Sequence, residues 1–338
     1  MSISVLQPGM LTSIQDLGRY GYQKYGVIVS GAMDTYSLRT ANLLVGNDEA
    51  EAALEMTLMG PSLLIKNDTL LAITGGDLSP VIDKQPVPMW RPLYVKGGSV
   101  LEFGACKSGC RAYLAVAGGY HIPAVMGSKS TYLRAGIGGY EGRALKEGDE
   151  LALETMGEKS KRLMRSLQKS AGEDTLASTP WYAGGSILKH AGDILVRVTR
   201  GSQFERFDDV SRNRLYSEPF QITPQSDRMG YRLSGPALQL EEPFEMISEG
   251  VCLGTVQVPP DGNPIILLAD RQTVGGYPSI AQVAVVDIAL IAQMKPGQKL
   301  AFQEITAREA EKLYLDRERD MEEMRSAISL KLAQGIAL

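Results

Sequence analysis

The sequence predicts a mainly β chain of two related units, with few short helices and an amphipathic helix at the C-terminus. Three observations predict it. Thirty-six glycines and seventeen prolines punctuate short runs rich in Val, Ile, Leu and Tyr, the pattern of strands joined by tight turns. One such run alternates visibly: Val196 and Val198 face one way, Arg197 and Thr199 the other, as in a half-buried strand. The halves also echo one another. Ser30-Gly31, Leu71-Ala72-Ile73-Thr74-Gly75-Gly76-Asp77 and Lys96-Gly97-Gly98-Ser99-Val100-Leu101-Glu102-Phe103 are matched in order by Ser234-Gly235, Leu267-Leu268-Ala269-Asp270-Arg271 and Lys295-Pro296-Gly297-Gln298-Lys299-Leu300-Ala301-Phe302. Duplication of a β unit gives such an echo, and so do chance matches between Gly-rich strands.

In chain order, residues 34–45 read as a helix: Leu38, Ala41, Leu44 and Val45 share a face, Asp34 is placed to cap the start and Gly46 to end it. Strands are expected at 70–74, 99–103 and 111–117. Between 156 and 179 the apolar period fades while Lys159, Lys161, Arg162, Arg165 and Lys169 accumulate, which predicts a solvated connection. Strands at 194–199 and 265–269 follow, then a short helix after Asp287 that Pro296 and Gly297 stop. In the last helix, 307–333, Leu313, Met321, Met324, Ile328 and Leu332 recur at helical spacings. The expected organisation is a first β unit over 1–155, a connecting segment over 156–185, a second β unit over 186–303 and a C-terminal helix over 304–338.

A chain of 338 residues and 36.6 kDa has room for two domains. With 44% hydrophobic and 22% charged residues it has a globular composition, neither disordered nor membrane-like. Thirty-five basic against 39 acidic residues, a net charge of -4, leave no electrostatic footprint for nucleic acid. Three cysteines do not make the disulfide framework of a secreted domain. Residues 1–30 lack the pattern of a secretory leader, so the cytoplasm is expected, and the longest nearly apolar run, 283–292, is interrupted by Asp287 and too short to span a bilayer.

Several chemistries are poorly served. Cys106 and Cys110 stand four apart, but His121 and His190 are the only histidines, so buried free thiols account for the pair better than a closed zinc site and no metal is expected. No Gly-x-Ser-x-Gly elbow accompanies those histidines, although either could still act as an acid or base. Gly127-Ser128-Lys129-Ser130 lacks the glycine spacing of a phosphate loop. In Gly136-Ile137-Gly138-Gly139-Tyr140-Glu141-Gly142, Glu141 occupies the last glycine position of a dinucleotide pattern, which leaves a tight loop.

Three clusters place charges beside glycine in apolar surroundings. They are Gln15-Asp16-Leu17-Gly18-Arg19 with Ser30-Gly31-Ala32-Met33-Asp34; Ser226-Asp227-Arg228-Met229-Gly230-Tyr231-Arg232-Leu233; and Ala269-Asp270-Arg271-Gln272-Thr273-Val274-Gly275-Gly276-Tyr277-Pro278. Acid–arginine neighbours next to glycines suit loops that present guanidinium forks to a planar carboxylate, carbamate or ureido group while backbone amides approach closely. The alternative is that each Asp–Arg pair ties a turn together.

With Thr12-Ser13-Ile14-Gln15-Asp16-Leu17-Gly18-Arg19, Ser30-Gly31-Ala32-Met33-Asp34, Ala41-Asn42-Leu43-Leu44-Val45-Gly46-Asn47, Asp227-Arg228-Met229-Gly230-Tyr231-Arg232-Leu233 and Asp270-Arg271-Gln272-Thr273-Val274-Gly275-Gly276-Tyr277-Pro278, the chain resembles the family of KipA and the 5-oxoprolinase C component (PxpC) over residues 4–302. That family is also called allophanate hydrolase subunit 2-like and is related to the carboxyltransferase region of urea carboxylase. One departure is Gln203-Phe204-Glu205-Arg206-Phe207, where Glu205 stands in place of an expected aspartate.

The resemblance implies two cyclophilin-like β-barrel units, a KipI-like B component and a LamB/YcsF-like A component as partners, and ATP-dependent opening of the lactam of 5-oxo-L-proline, a small carboxylate, to glutamate. On that chemistry the charge–glycine clusters are expected to place Arg228 and Arg271 on substrate carboxylate or phosphoryl charge, with Asp227 and Asp270 orienting them or acting as base and the amides of Gly275 and Gly276 stabilising an oxyanion. Asp16, Arg19, Asp34, Arg232, Gln272, Thr273 and Tyr277 complete the expected binding set. A biotin-dependent carboxyltransferase is the chemical alternative, but Met294-Lys295-Pro296 is not an Ala-Met-Lys-Met context, so biotin is not expected on this chain. The non-enzymatic alternative is a KipI antagonist that relieves inhibition of a sporulation sensor kinase.

Overall fold

The structure, a computed structural model, describes residues 1–184 and 194–334. The chain divides into two compact units. Unit one comprises Met1–Arg19, Ser30–Leu188 and Asp320–Leu338; unit two comprises Tyr20–Val29 and Lys189–Arg319.

Unit one holds two six-stranded sheets. In hydrogen-bonded order the first contains Glu150–Ala152, Ser2–Gln7, Ser62–Ile65, Val100–Glu102, Val81–Ile82 and Gln85–Pro86. The second contains Leu176–Ser178, Leu93–Val95, Thr69–Asp77, Ser108–Val116, Ala53–Thr57 and Leu11–Gln15. Apolar side chains of both sheets, among them Ile3, Leu63, Leu101, Leu54, Ile73 and Leu114, share one core. The central strand Thr69–Asp77 is buried on both faces, which is why it reads as a continuous apolar run: Leu71 and Ile73 enter that core, while Leu70 and Ala72 enter a second.

Helices fill the second core. Helix α1, Thr35–Val45, starts where Asp34 accepts from the Ser37 amide at 2.9 Å and ends at Gly46 in the left-handed region (φ 78°). A Cβ at Gly46 would also meet Ser160 Oγ at 2.6 Å. That serine belongs to helix α2, Glu158–Ala171, in the stretch where the sequence predicts a solvated connection. The charges there form only its outer side. Ser160, Leu163, Leu167 and Ala171 are buried at spacings of three and four, and Ser160 Oγ donates to the Val45 carbonyl at 2.8 Å.

Unit two contains a closed seven-stranded barrel: Ile194–Arg200, Ser279–Val283, Thr255–Gln257, Ile265–Leu267, Gly230–Ser234, Phe220–Ile222 and Lys299–Glu304 in sequence around it. Val196, Val198, Val256, Ile266, Ile280 and Leu300 are fully buried, and Phe220 and Phe302 meet with ring centroids 5.7 Å apart. Helix α3, Asp209–Ser217, is not legible in the sequence; Asp208 caps it through the Ser211 amide at 2.6 Å. In helix α4, Val285–Ala292, buried Asp287 accepts from the Arg197 amide at 2.8 Å and Nε at 2.9 Å, locking the helix to the first barrel strand. Helix α5, Ala307–Gln334, buries Met321, Ile328 and Leu332 in the second core of unit one.

The fold is mostly β, as expected, with the echoed segments 71–77, 99–103, 267–271 and 299–302 lying in or beside strands. Two expectations change: the described residues hold one closed barrel, two six-stranded open sheets and a two-stranded one, and the five α-helices include runs of 14 and 28 residues. Among the described residues no helix is long and apolar enough to cross a membrane.

Candidate active site

The first cluster folds into a closed scaffold inside unit one. Asp16 Oδ1 accepts from the Gly18 amide at 2.8 Å and Ser128 Oγ at 2.7 Å, and Oδ2 from the Lys129 amide at 2.6 Å. Arg19 has no exposed surface; its Nε donates to the Val125 carbonyl at 2.8 Å and its Nη2 to the Ser130 carbonyl at 2.9 Å. Burial pulls its pKa down from the arginine range, with Asp16 opposing. Asp34 is equally buried and caps α1 through the Ser37 amide and hydroxyl, at 2.9 and 2.6 Å. Each group is thus held by the fold.

Beside Asp34 lies a buried polar set that the sequence reading misses. Tyr113 Oη donates to Glu55 Oε2 at 2.8 Å and accepts from the Asp34 amide at 2.8 Å, and Arg111 Nε stands 3.9 Å from Glu55 Oε1. Burial, first, and the Glu55 and Asp34 charges push the Tyr113 phenol well above its ordinary pKa. Glu55 and Tyr113 are directly opposed across adjacent strands. Charged residues within apolar strands, Glu55 in Ala53-Leu54-Glu55-Met56 and Arg111, are the signal that could have revealed them.

The second and third clusters meet at one place in unit two. Exposed Asp227 closes its own turn, accepting from the Met229 amide at 2.8 Å and the Gly230 amide at 3.3 Å. Buried Arg228 forms a two-point pair with buried Asp270, Nε to Oδ2 at 2.9 Å and Nη2 to Oδ1 at 3.1 Å, while the Asp270 amide donates to the Arg228 carbonyl at 2.9 Å. Arg228 is therefore a tie between loops rather than an open fork. Arg232 is exposed on the strand Gly230–Ser234.

Arg271 differs from these. It is half-buried, Nη1 donates to the Leu268 carbonyl at 3.3 Å, and its buried Nε has no hydrogen-bond partner among the described residues. Desolvation lowers its pKa, with Cys252 and Tyr20 near enough to oppose the shift. Beyond it, Gln272 is exposed, the carbonyl of Thr273 accepts from the Val251 amide at 3.1 Å, and Val274–Gly275 pairs antiparallel with Glu249–Gly250. Gly275 lies against the buried Gln257 amide, which a Cβ would meet at 2.5 Å; Gln257 Nε2 donates to the Tyr277 carbonyl at 3.0 Å. Gly276 and Tyr277 are exposed. Gln203 Oε1 accepts from the Ser279 amide at 3.0 Å, and its Nε2 reaches Glu249 at 3.4 Å. Neither glutamine stands out in the sequence, because a buried polar residue in a strand is visible only once its neighbours are known.

Two hollows border this bend and the strand paired with it. A groove of about 750 Å³ is lined by Gly276, Tyr277 and Pro278, and a smaller hollow of about 230 Å³ is lined by Glu249, Gly250, Cys252 and Thr255. A desolvated guanidinium with a free N–H can receive a carboxylate or an oxygen that gains negative charge. Glu205, at the family departure, is exposed and pairs with Arg200 and Arg212, each at 2.9 Å.

Other candidates are differently placed. Cys110 is buried, Cys106 partly so and Cys252 exposed, all as free thiols. Exposed His121 contacts Glu154 at 2.5 Å, and His190 lies outside the described residues. No group of three or more His, Cys, Asp or Glu among the described residues could hold a metal ion.

Residues 25–304 match the family model for the carboxyltransferase domain, subdomains A and B. The chain is 36% identical over 329 residues to the 5-oxoprolinase C subunit of Haemophilus influenzae, covering 97% of this chain and 99% of that one. It is 39% identical over 323 residues to the 5-oxoprolinase C subunit of Escherichia coli, covering 95% and 97%. The crystal structure of Kluyveromyces lactis urea carboxylase superposes with a TM-score of 0.85 at 30% identity, over 96% of this chain and 29% of that chain. The chain therefore belongs to the carboxyltransferase-domain family and matches its 5-oxoprolinase C subunits from end to end.

Proposed function

We propose that this chain is the C component of an ATP-dependent 5-oxoprolinase, inactive alone, that works in the cytoplasm with a KipI-like B component and a LamB/YcsF-like A component to open 5-oxo-L-proline to L-glutamate. End-to-end agreement with two bacterial C subunits carries this reading. The urea enzymes match as a region of a much longer chain, which favours carboxyltransferase ancestry over carboxyltransferase activity here. Both β units are read as variants of one cyclophilin-like barrel, the first opened into two sheets.

Lactam opening needs an activated carbonyl, since amide resonance must be lost, and a site that stabilises oxygen charge as it develops. Arg271 is the group this chain would bring to the substrate carboxylate or the activated oxygen. The Arg228–Asp270 pair positions it from the adjacent residue, and the Gly275–Gly276 bend supplies amides. Gln272, Thr273 and Tyr277 border the same loop. Asp227, Arg232, Asp16, Arg19 and Asp34 have structural or peripheral placements and are not assigned contact with substrate. Lys129 donates to Glu51 Oε1 at 2.6 Å and Ser128 donates to Asp16, so that segment presents no free phosphate cradle, and no step involving ATP is placed on it.

Mixing this chain with its KipI-like and LamB/YcsF-like partners and following glutamate release from 5-oxoproline and ATP tests the reading. Turnover that disappears when any one protein is omitted supports it. Tight binding to the KipI-like protein without turnover would instead favour the regulatory role, and transfer from carboxybiotin would favour the carboxyltransferase.

A further inference from the structure

We propose that the larger groove of unit two, about 750 Å³, is the docking site for an extended apolar segment of a partner protein flanked by lysine or arginine. The inference rests on the reading of this chain as one member of a complex, and adds the surface and the chemistry that engage the partner.

The groove is walled by Phe207, Leu238, Pro243, Phe244, Met246 and Pro259. Prolines fix backbone and offer no N–H, so this wall favours apolar contact and loses little freedom when covered. Residues 241–250 are exposed or half-exposed throughout, and Ile247, next in sequence to the groove-lining Met246, is 88% exposed. An apolar surface of this kind marks an interaction site.

Charge selects the occupant. Glu245 and Asp261 line the groove, with Glu241 and Glu242 just before it; among the described residues none of the four makes a salt bridge within 4 Å, although Glu241 is near enough to Arg212 to favour its charge. The nearby cation Arg206 is stacked on the Phe244 ring, 4.0 Å from its centroid. An apolar floor with an acidic rim attracts a basic-flanked segment and repels nucleic acid and acidic peptides. The far wall is formed by Gly276, Tyr277 and Pro278, the continuation of the Arg271 loop, so an occupant presses on the segment that carries the candidate catalytic arginine.

The test is isothermal titration of the full chain with the purified KipI-like protein and, separately, the LamB/YcsF-like protein, alongside glutamate release. Phe244→Ala and the double variant Glu245→Lys/Asp261→Lys are compared with Met59→Ala, a control at a 51%-exposed position of unit one. At least one partner is expected to bind the native chain in a salt-sensitive manner. Both groove variants should weaken that binding by about tenfold or more, with unchanged circular dichroism, while the control binds normally. Native-like affinity in both groove variants overturns the docking site and leaves the 5-oxoprolinase reading standing. Absence of binding and of glutamate release with the native chain removes the 5-oxoprolinase reading and this inference with it.

Discussion

Arg228 and Asp270 face each other within the second unit as a buried two-point pair, with N–O distances of 2.9 and 3.1 Å, and Arg271 follows directly on the aspartate. One charge pair is committed to geometry, and its neighbour is the residue proposed to bind. Breaking a buried pair strands a charge, so Asp270→Ala should lower unfolding free energy by about 3–5 kcal/mol, read from urea denaturation. Arg228→Met with Asp270→Leu should recover much of that loss, and a double variant no better than the single would refute the tie.

Arg271→Ala removes a desolvated guanidinium that has no ion-pair partner among the described residues. Stability should therefore change by no more than about 1 kcal/mol, while kcat/KM of the assembled complex falls by about 100-fold or more. Arg271→Lys keeps charge without the planar fork and should restore only part of the rate. Unchanged kinetics in both variants would exclude Arg271 from the reaction.

Gly275→Ala should damage the site through the interior. The new methyl would meet Gln257 Nε2 at 2.5 Å, and that amide is buried and bonded to the Tyr277 carbonyl. Activity of the complex should fall, and pairing the change with Gln257→Ala should relieve the clash and return part of it. Equal activities of native and Gly275→Ala complexes would show that the bend tolerates displacement.

Asp34 distinguishes a cap from a binding residue. Asp34→Ala should cost about 1–2 kcal/mol through loss of the Ser37 contacts at the start of α1, measurable in a denaturant melt. A drop in kcat with no loss of stability would contradict that placement.

Acid sensitivity has an identifiable contributor in Asp149. Arg143, bonded to both its oxygens at 2.7 and 2.8 Å, is the main reason its carboxyl lies below the usual carboxylate range. A depressed folded-state pKa stabilises above the unfolded value, about 4, and that contribution is lost as pH falls through the folded value. Asp149→Asn should therefore show a shallower loss of stability below about pH 4 than the native chain. Parallel pH profiles of the two proteins would remove Asp149 from the acid transition.

Helices α1, α4 and α5 and the principal strands were legible because their signals are local. Asp34 and Gly46 bracket one apolar face, and Val196 and Val198 alternate with Arg197 and Thr199. Helix α2 was hidden because its inward stripe is narrow, with Ser160 and Ala171 at its ends and charges between. Helix α3 buries only Ser211 and Leu215, too few residues to make a period.

By itself the sequence determined the β-rich character, the family and the loops in which charge and glycine coincide, since each is written in adjacent residues. Only the tertiary structure decided which charges remain open. Arg19, Arg228 and Arg271 look alike beside their aspartates, yet the first is wholly enclosed and bonded to the Val125 and Ser130 carbonyls and the second is tied to Asp270, while the third is only partly buried and, among the described residues, its Nε has no hydrogen-bond partner. The acceptors of Arg19 and Arg228 come from distant positions in the chain, and a guanidinium's availability depends on what folding packs against it.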